Sequence, residues 1–294
     1  MILLDGKSVA ATIRQEIKQT VHDWVQKGLR KPHLVAVLVG NDAASISYVS
    51  HKVKACEEVG FDSTLLQLDT SITEEELVEQ LEKINANTSL DGVLVQLPLP
   101  VHVSEARIIE TIAHEKDVDG FHPTNIGRMA KGLPTLLPAT PAGIAELIKR
   151  YEIPTAGKHC VVVGRSNIVG SPISILLGRN NYPGNCTVTL CHSHTPSLEE
   201  FTRQADILIV AVGKKRLITA SMVKEGAVVI DVGTHAEPAD NKKGYRLCGD
   251  VDFEAVSPRC SYITPVPGGV GPMTIAMLLS NTLQSYRKQM KMGI

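Results

Sequence analysis

The stretch Val161-Val162-Val163-Gly164-Arg165-Ser166-Asn167-Ile168-Val169-Gly170-Ser171-Pro172 constrains this chain more than any other. Three β-branched residues run into a glycine, a polar turn follows, and a second glycine leads to a proline that fits the first turn of a helix, where its missing N–H costs nothing. Strand, tight turn and helix in that order place a helix N-terminus beside the carboxyl end of a parallel strand, where phosphate groups bind. A nucleotide site is the first expectation. The turn keeps only the first and last glycines of the dinucleotide fingerprint G-x-G-x-x-G, because Ser166 stands where the second would be. A plain α/β connection would read the same way from this turn alone.

The next strand and its turn favour a nucleotide. That strand, residues 186–191, ends in His192-Ser193-His194-Thr195, where an NAD enzyme carries an acid for the ribose 2′-hydroxyl. No acid is there. Ser193 can donate a hydrogen bond and Arg165 can reach the same spot, so the pair suits the 2′-phosphate of NADP. A solvated arginine and a turn serine are the structural alternatives.

Around this unit, buried-type runs at 34–39, 64–68 and 92–97 alternate with helical patterns. Val9, Ile13, Ile17, Val21 and Trp24 recur at helical spacing, a second helix runs to about Gly60, and Thr73 with Glu76 forms a capping box for a third. Further apolar strands at 206–212 and 227–232 stop at Gly213 and Gly233. Such repeats imply parallel sheets with right-handed crossovers. Residues 115–123 read as a polar loop. Thr140-Pro141 reads as an N-cap with proline at the first helical position, opening a linking helix to about Tyr151. A final helix is expected from Met273 or Thr274 to about Met290. The fold class expected is α/β with two lobes, an N-terminal one over 1–150 completed by 274–294, and a Rossmann-like one over 151–273.

A chain of 294 residues can bury two cores, and 43% hydrophobic with 21% charged residues is a globular balance. The formal charge of −1 gives no bulk attraction to nucleic acid or anionic membrane, so the expected partner is a small molecule. Six cysteines without a C-x-x-C pair read as free thiols rather than a zinc site or disulfide framework, and His192-x-His194 is too short a cluster for a metal. With no signal-peptide pattern and no apolar run of membrane-spanning length, a cytoplasmic enzyme is expected.

Tyr48 and Lys52, at i and i+4, share one face of the second helix, either as a phenol and amine over an aromatic ligand or as an ordinary solvated face. Gln96 lies in an apolar strand near its carboxyl end, where a buried amide needs partners and where open sheets place ligands. Asp119 can accept two parallel N–H donors such as a pterin or purine edge presents, or cap its own turn. The loop Thr264-Pro265-Val266-Pro267-Gly268-Gly269-Val270-Gly271-Pro272 is rigid and poor in side chains; a ligand can approach it closely, or it serves as a stiff connector.

Together and in order, five segments resemble the bifunctional methylenetetrahydrofolate dehydrogenase/cyclohydrolase family. They are Tyr48-Val49-Ser50-His51-Lys52, Asp91-Gly92-Val93-Leu94-Val95-Gln96-Leu97-Pro98-Leu99-Pro100, Lys116-Asp117-Val118-Asp119-Gly120, Gly164-Arg165-Ser166-Asn167-Ile168-Val169-Gly170 and Pro265-Val266-Pro267-Gly268-Gly269-Val270-Gly271-Pro272-Met273-Thr274. The resemblance implies a folate lobe from the N-terminal segment and last helix, an NADP lobe between, and a cleft where the two cofactors meet. It implies Lys52 as the central catalytic group, Tyr48 over the folate, Gln96 bonded to the lysine, and Asp119 on the pterin ring. Leu97, Pro98, Pro265, Pro267, Gly268 and Gly269 would complete the folate wall. Gly164, Arg165, Ser166, Ile168, Val169, Gly170, Ser193 and Thr234 would hold NADP.

Thr234-His235 departs from the family, where similar sequences usually have isoleucine and asparagine, and the longer turn at 179–185 has no role read for it. The chain leaves no room after its last helix for the synthetase domain of larger fusion members. The implied reactions are NADP-dependent oxidation of 5,10-methylenetetrahydrofolate and hydrolysis of the methenyl product to 10-formyltetrahydrofolate, by a homodimer. A dehydrogenase of another small substrate and a nucleotide-sensing module are the rival readings; Gln96 with the proline-glycine loop argues against the first, Lys52 with Asp119 against the second.

Overall fold

The computed structural model describes residues 1–241 and 244–292. The chain divides into two compact α/β units, one of Met1–Ala10 with Thr140–Thr274, the other of Ala11–Ala139 with Ile275–Ile294. The expected boundary after residue 150 falls instead at 139/140, and the first ten residues belong with the nucleotide-type unit. Hydrogen bonding explains the second shift. The short strand Ile2–Leu3 pairs with Cys260–Ile263, Leu4 N donates to Ile263 O at 2.8 Å, and Asp5 N donates to the Tyr151 hydroxyl at 2.8 Å.

In the first unit the described residues form a six-stranded parallel sheet, in the spatial order Ile2–Leu3, Cys260–Ile263, Ala227–Asp231, Ile207–Val210, His159–Val163, Thr187–Cys191. Ile207–Val210 and Ala227–Asp231 are buried along their whole length, which is why they read as continuous apolar runs rather than alternating ones. Strand order reverses between His159–Val163 and Ile207–Val210, so the turns at their carboxyl ends border the position where open sheets take ligands. The helix Ala139–Arg150 starts one residue before Thr140, which therefore lies inside it and does not cap it; its hydroxyl pairs with that of Thr274 at 2.9 Å. The turn at 179–185 is pinned by Asn185 N to Arg179 O at 2.6 Å and by the Tyr182 hydroxyl to Ile148 O at 3.1 Å.

The second unit holds a three-stranded parallel sheet with His33–Val39 between Asp62–Leu68 and Gly92–Val95. The third strand stops at Val95, so Gln96 stands just beyond the ladder, its N–H still bonded to Val37 O at 2.9 Å. The helix Ala43–Val59 begins where the Asp42 side chain accepts from Ser45 N, and ends at Gly60 with φ 83°. Glu74–Ala86 carries the expected capping box of Thr73 and Glu76. The loop expected over 115–123 starts with a parallel bridge between Asp117 and Val93, and a helix comes after it, Pro123–Ala130, capped by the His122 ring. That helix is only eight residues long and opens on an unusual cap, so a reading by longer periodic runs passes over it. The final helix runs Val270–Gln289, beginning three residues before Met273.

Two short strands, His235–Pro238 and Tyr245–Cys248, pair antiparallel outside the main sheet, and no sequence pattern marks them. Their anchor is Glu237, whose side chain is nearly buried and meets Lys215, Arg216 at 2.7 Å and Arg246 at 2.5 Å. Hydrogen bonding from Lys215 first, then from Arg246, with the charges of Arg216 and Arg246, holds this carboxyl down at about 2. A depressed carboxylate pKa stabilises the fold above the unfolded value and loses that contribution as pH falls toward the folded one. Amide protection in the two strands should therefore weaken between about pH 4.5 and 2. Hydrogen exchange followed by NMR should show this loss in the wild type and a flat pH response over that window in Glu237→Gln.

Candidate active site

In the second unit, Tyr48, Lys52 and Gln96 come together. Lys52 is only 5% exposed, and its ammonium donates to Gln96 Oε1 at 3.3 Å and lies 5.0 Å from the centre of the Tyr48 ring. The Gln96 amide is held in turn by Nε2 donating to Leu97 O at 2.7 Å, and the Leu97–Pro98 peptide beyond it is cis. An ammonium has three donors, and Gln96 is the one hydrogen-bond acceptor it has among the described residues. Tyr48 itself is 42% exposed, yet desolvation first and the Asp119 carboxylate second push its hydroxyl pKa up. Asp119 is half-buried, close enough to act on Tyr48, and no hydrogen bond or ion pair reaches its carboxylate among the described residues.

The loop carrying Asp119 is built by neighbours that sequence patterns do not single out. Buried Asp117 accepts from His122 N at 2.7 Å, Asn125 Nδ2 at 2.9 Å and Gly120 N at 3.1 Å, while burial pushes its carboxyl pKa up. Lys116 Nζ donates to Ile84 O, Asn85 O and Asn87 O at 2.7–3.0 Å, satisfying carbonyls at the end of Glu74–Ala86, and burial lowers its pKa. From the final helix, Asn281 Nδ2 donates to Val118 O and to Leu137 O, both at 2.8 Å. Gly120 has φ 77°, and a Cβ there would come within 2.4 Å of the backbone of Leu137 and Pro138. Asp117 stands in plain view within Lys116-Asp117-Val118-Asp119-Gly120; its bridge to Val93, which turns it inward, does not.

In the first unit the turn at 164–169 is shaped by backbone crowding. Gly164 has φ 114°, and a Cβ on it would sit 2.1 Å from Ala211 O; one on Gly170 would sit 1.9 Å from Gly164 O. Ser166 Oγ accepts from Val169 N at 3.2 Å, and the helix Gly170–Gly178 opens without a side-chain cap, although its Ser171 N–H is already bonded to Ser166 O at 3.1 Å and Pro172 has none to offer. Arg165 and Ile168 are exposed, Val169 buried. Gly164 N bonds to Cys191 O at 2.9 Å, which brings the 192–195 turn alongside. Desolvation first, then the charges of Arg165 and His194, lower the His192 pKa, so Arg165 stands within electrostatic range of the turn that carries exposed Ser193. Thr234 is exposed and lies just past buried Asp231, whose carboxyl burial pushes up to about 6 against the N–H donors of Val251, Asp250 and Gly233.

The proline-glycine loop lies in this unit and not with Tyr48 and Lys52. Lys7 N donates to Gly268 O at 2.8 Å, a Cβ on Gly6 would meet Gly269 O at 1.8 Å, and the Val266–Pro267 peptide is cis. Pro265 is half-buried and Pro267 exposed.

The family model described as the tetrahydrofolate dehydrogenase/cyclohydrolase catalytic domain matches residues 4–119, and that of the corresponding NAD(P)-binding domain matches 138–290. The chain belongs to the tetrahydrofolate dehydrogenase/cyclohydrolase family. It is 59% identical over 286 residues to the bifunctional protein FolD of Cytophaga hutchinsonii, covering 97% of this chain and 99% of the relative. The bifunctional methylenetetrahydrofolate dehydrogenase/cyclohydrolase of Campylobacter jejuni superposes with a TM-score of 0.91 at 48% identity, covering 98% of this chain and 99% of that one. The Trypanosoma brucei enzyme, solved with NADP and an inhibitor, superposes with a TM-score of 0.92 at 35% identity, covering 99% of each chain.

For a member of this family the crowded glycine turn makes a sharp expectation. Gly170→Ala must push the Gly164 carbonyl away, at a cost of about 1–3 kcal/mol. NADP titration and a thermal melt should show weakened cofactor binding together with a lowered melting temperature; unchanged values in both would mean the turn has slack.

Proposed function

We propose that the chain oxidises 5,10-methylenetetrahydrofolate with NADP and hydrolyses the resulting 5,10-methenyl compound to 10-formyltetrahydrofolate. The observation that carries this reading is the buried Lys52 ammonium, held by Gln96 and set against the Tyr48 ring, with the unpaired Asp119 carboxylate nearby. A solvated surface lysine would have neither the burial nor the amide partner. Family membership supplies the substrate class, and both activities are named for the similar Campylobacter enzyme.

In this reading Asp119 accepts the parallel N–H donors of the pterin edge, and Tyr48 with Leu97 and Pro98 packs against the folate. On the first unit, Pro265, Pro267, Gly268 and Gly269 offer backbone and ring surface that a folate can approach, as the family resemblance implies. Gly164, Arg165, Ser166, Ile168, Val169, Gly170, Ser193 and Thr234 hold the dinucleotide, with the Gly170–Gly178 N-terminus on its phosphates and Arg165 with Ser193 on the 2′-phosphate. The glycine cradle and uncapped helix end fit such a group. When bound, NADP supplies the hydride acceptor.

For the oxidation, the protein's task is alignment of the two rings. Hydrolysis asks more. Water adds to the cationic methenyl carbon and gives up a proton, and the ring nitrogen takes one as the carbon–nitrogen bond opens. Lys52 is the group placed to move these protons, and Gln96 fixes where its ammonium points. Lys52→Met keeps most of the apolar length but removes the amine. Methenyl decay and NADPH formation followed separately should show hydrolysis losing about 10²-fold or more, with the oxidation less affected and folate still bound. Hydrolysis at the wild-type enzymatic rate would remove Lys52 from this role.

Arg165→Ala should weaken NADP by about 1.5–3 kcal/mol per charge-assisted hydrogen bond lost, and NAD much less. Equal losses in parallel titrations would mean Arg165 does not read the phosphate. A homodimer, as the family resemblance implies, and a cytoplasmic location, read from the lack of a signal-peptide pattern, belong to the same proposal, and sedimentation velocity and cell fractionation check them; among the described residues no helix is long and apolar enough to cross a membrane.

A further inference from the structure

Two aspartates outside the proposed chemistry lock together the carboxyl ends of strands in the first unit. Asp231 closes the strand Ala227–Asp231, and its carboxylate accepts from Gly233 N at 2.9 Å, Asp250 N at 3.0 Å and Val251 N at 2.9 Å. Asp250 is fully buried; its Oδ2 accepts from Val212 N at 2.7 Å and Gly213 N at 3.0 Å, and its Oδ1 lies 2.7 Å from His235 Nε2. There is no slack around either group. A Cβ on Gly233 would fall 2.4 Å from the Asp250 carboxyl, and one on Gly249 would fall 1.8 Å from Asp231 Oδ2.

The position of this double clasp gives it a bearing on function. Strand order reverses between His159–Val163 and Ile207–Val210, and the ligand crevice of an open sheet lies outside the carboxyl ends at such a reversal. One wall is the glycine turn at 164–169, the other the turn at 211–213. They are in contact, because the space a Gly164 Cβ would need is taken by Ala211 O, with Val212 Cγ1 at 3.5 Å. Asp250 therefore grips the second wall by two consecutive N–H groups, and His235 occupies its other oxygen. Remove the imidazole and a buried carboxylate oxygen is left without its partner, a state folded proteins avoid.

We propose that Asp250 and His235 are positioning residues for the nicotinamide cofactor, fixing the turn at 211–213 and the segment at 233–235 where the dinucleotide lies. This rests on the assignment of NADP to this unit. Neither side chain needs to touch the cofactor; each acts through the backbone it holds.

The test uses the full-length chain as wild type, His235→Leu, His235→Gln and Asp250→Asn, measuring the NADP dissociation constant, the NADP KM, and methenyl hydrolysis without cofactor. His235→Leu should weaken NADP about tenfold, the weight of one charge-assisted hydrogen bond, and raise KM to match while hydrolysis stays close to wild type. His235→Gln, whose amide N–H has similar reach, should recover most of the loss, and Asp250→Asn should weaken NADP at least as much as His235→Leu. Unchanged NADP affinity in His235→Leu and Asp250→Asn overturns the proposal, as does a parallel fall in hydrolysis or a failure of glutamine to rescue. A wild type that binds no NADP overturns the functional reading and this proposal with it; a wild type that binds, with variants that bind equally, overturns this proposal alone.

Discussion

Taking the Lys52 ammonium out of water is the constraint around which the second unit is arranged. An unpaired buried cation is too costly to keep, and here it has one amide oxygen and one aromatic face. Gln96 can serve because the strand Gly92–Val95 ends one residue earlier, so the amide leaves the ladder at the sheet's edge with its own N–H still tied to Val37 O. Tyr48 can serve because Asp42 and Gly60 bound the helix that puts it one turn before Lys52. Each partner's place is thus set by where an element starts or stops. Two of the lysine's three donors are left without an acceptor among the described residues.

Asp119 shows the complementary device. Its own carboxylate is left unpartnered among the described residues, while the groups around it are satisfied: Asp117 by three N–H donors, the Val118 and Leu137 carbonyls by Asn281, the end of Glu74–Ala86 by Lys116. Polar groups that are buried and fully bonded make a rigid mount, and a rigid mount keeps one free carboxylate at a fixed position for a ligand. The first unit repeats the logic with backbone alone, since Gly164 and Gly170 let two turns approach closer than any side chain would allow.

The sequence and the structure part company at identifiable places. Long apolar strands and strongly capped helices are legible because burial on both faces and capping chemistry leave local marks, as at His33–Val39 and Thr73 with Glu76. The strand Ile2–Leu3 and the helix Pro123–Ala130 are not, one being too short to show a period and the other held by tertiary contacts such as Asn125 to Asp117 and to Thr135. Thr140 misleads because its hydroxyl is used by Thr274, far along the chain, instead of by the first turn of its own helix.

By itself the sequence determined the α/β class, the strand-turn-helix of the nucleotide unit, and the family through Tyr48, Lys52, Gln96, Asp119 and the proline-glycine loop, because these lie in contiguous motifs whose residue types report their own chemistry. Only the tertiary structure decided that the first ten residues join the nucleotide-type unit, that Asp117 rather than Asp119 caps its loop, and that His235 pairs with Asp250 across fifteen residues of chain. Those outcomes depend on which backbone groups meet across the fold, and hydrogen-bond pairing between distant segments leaves no local periodicity to read.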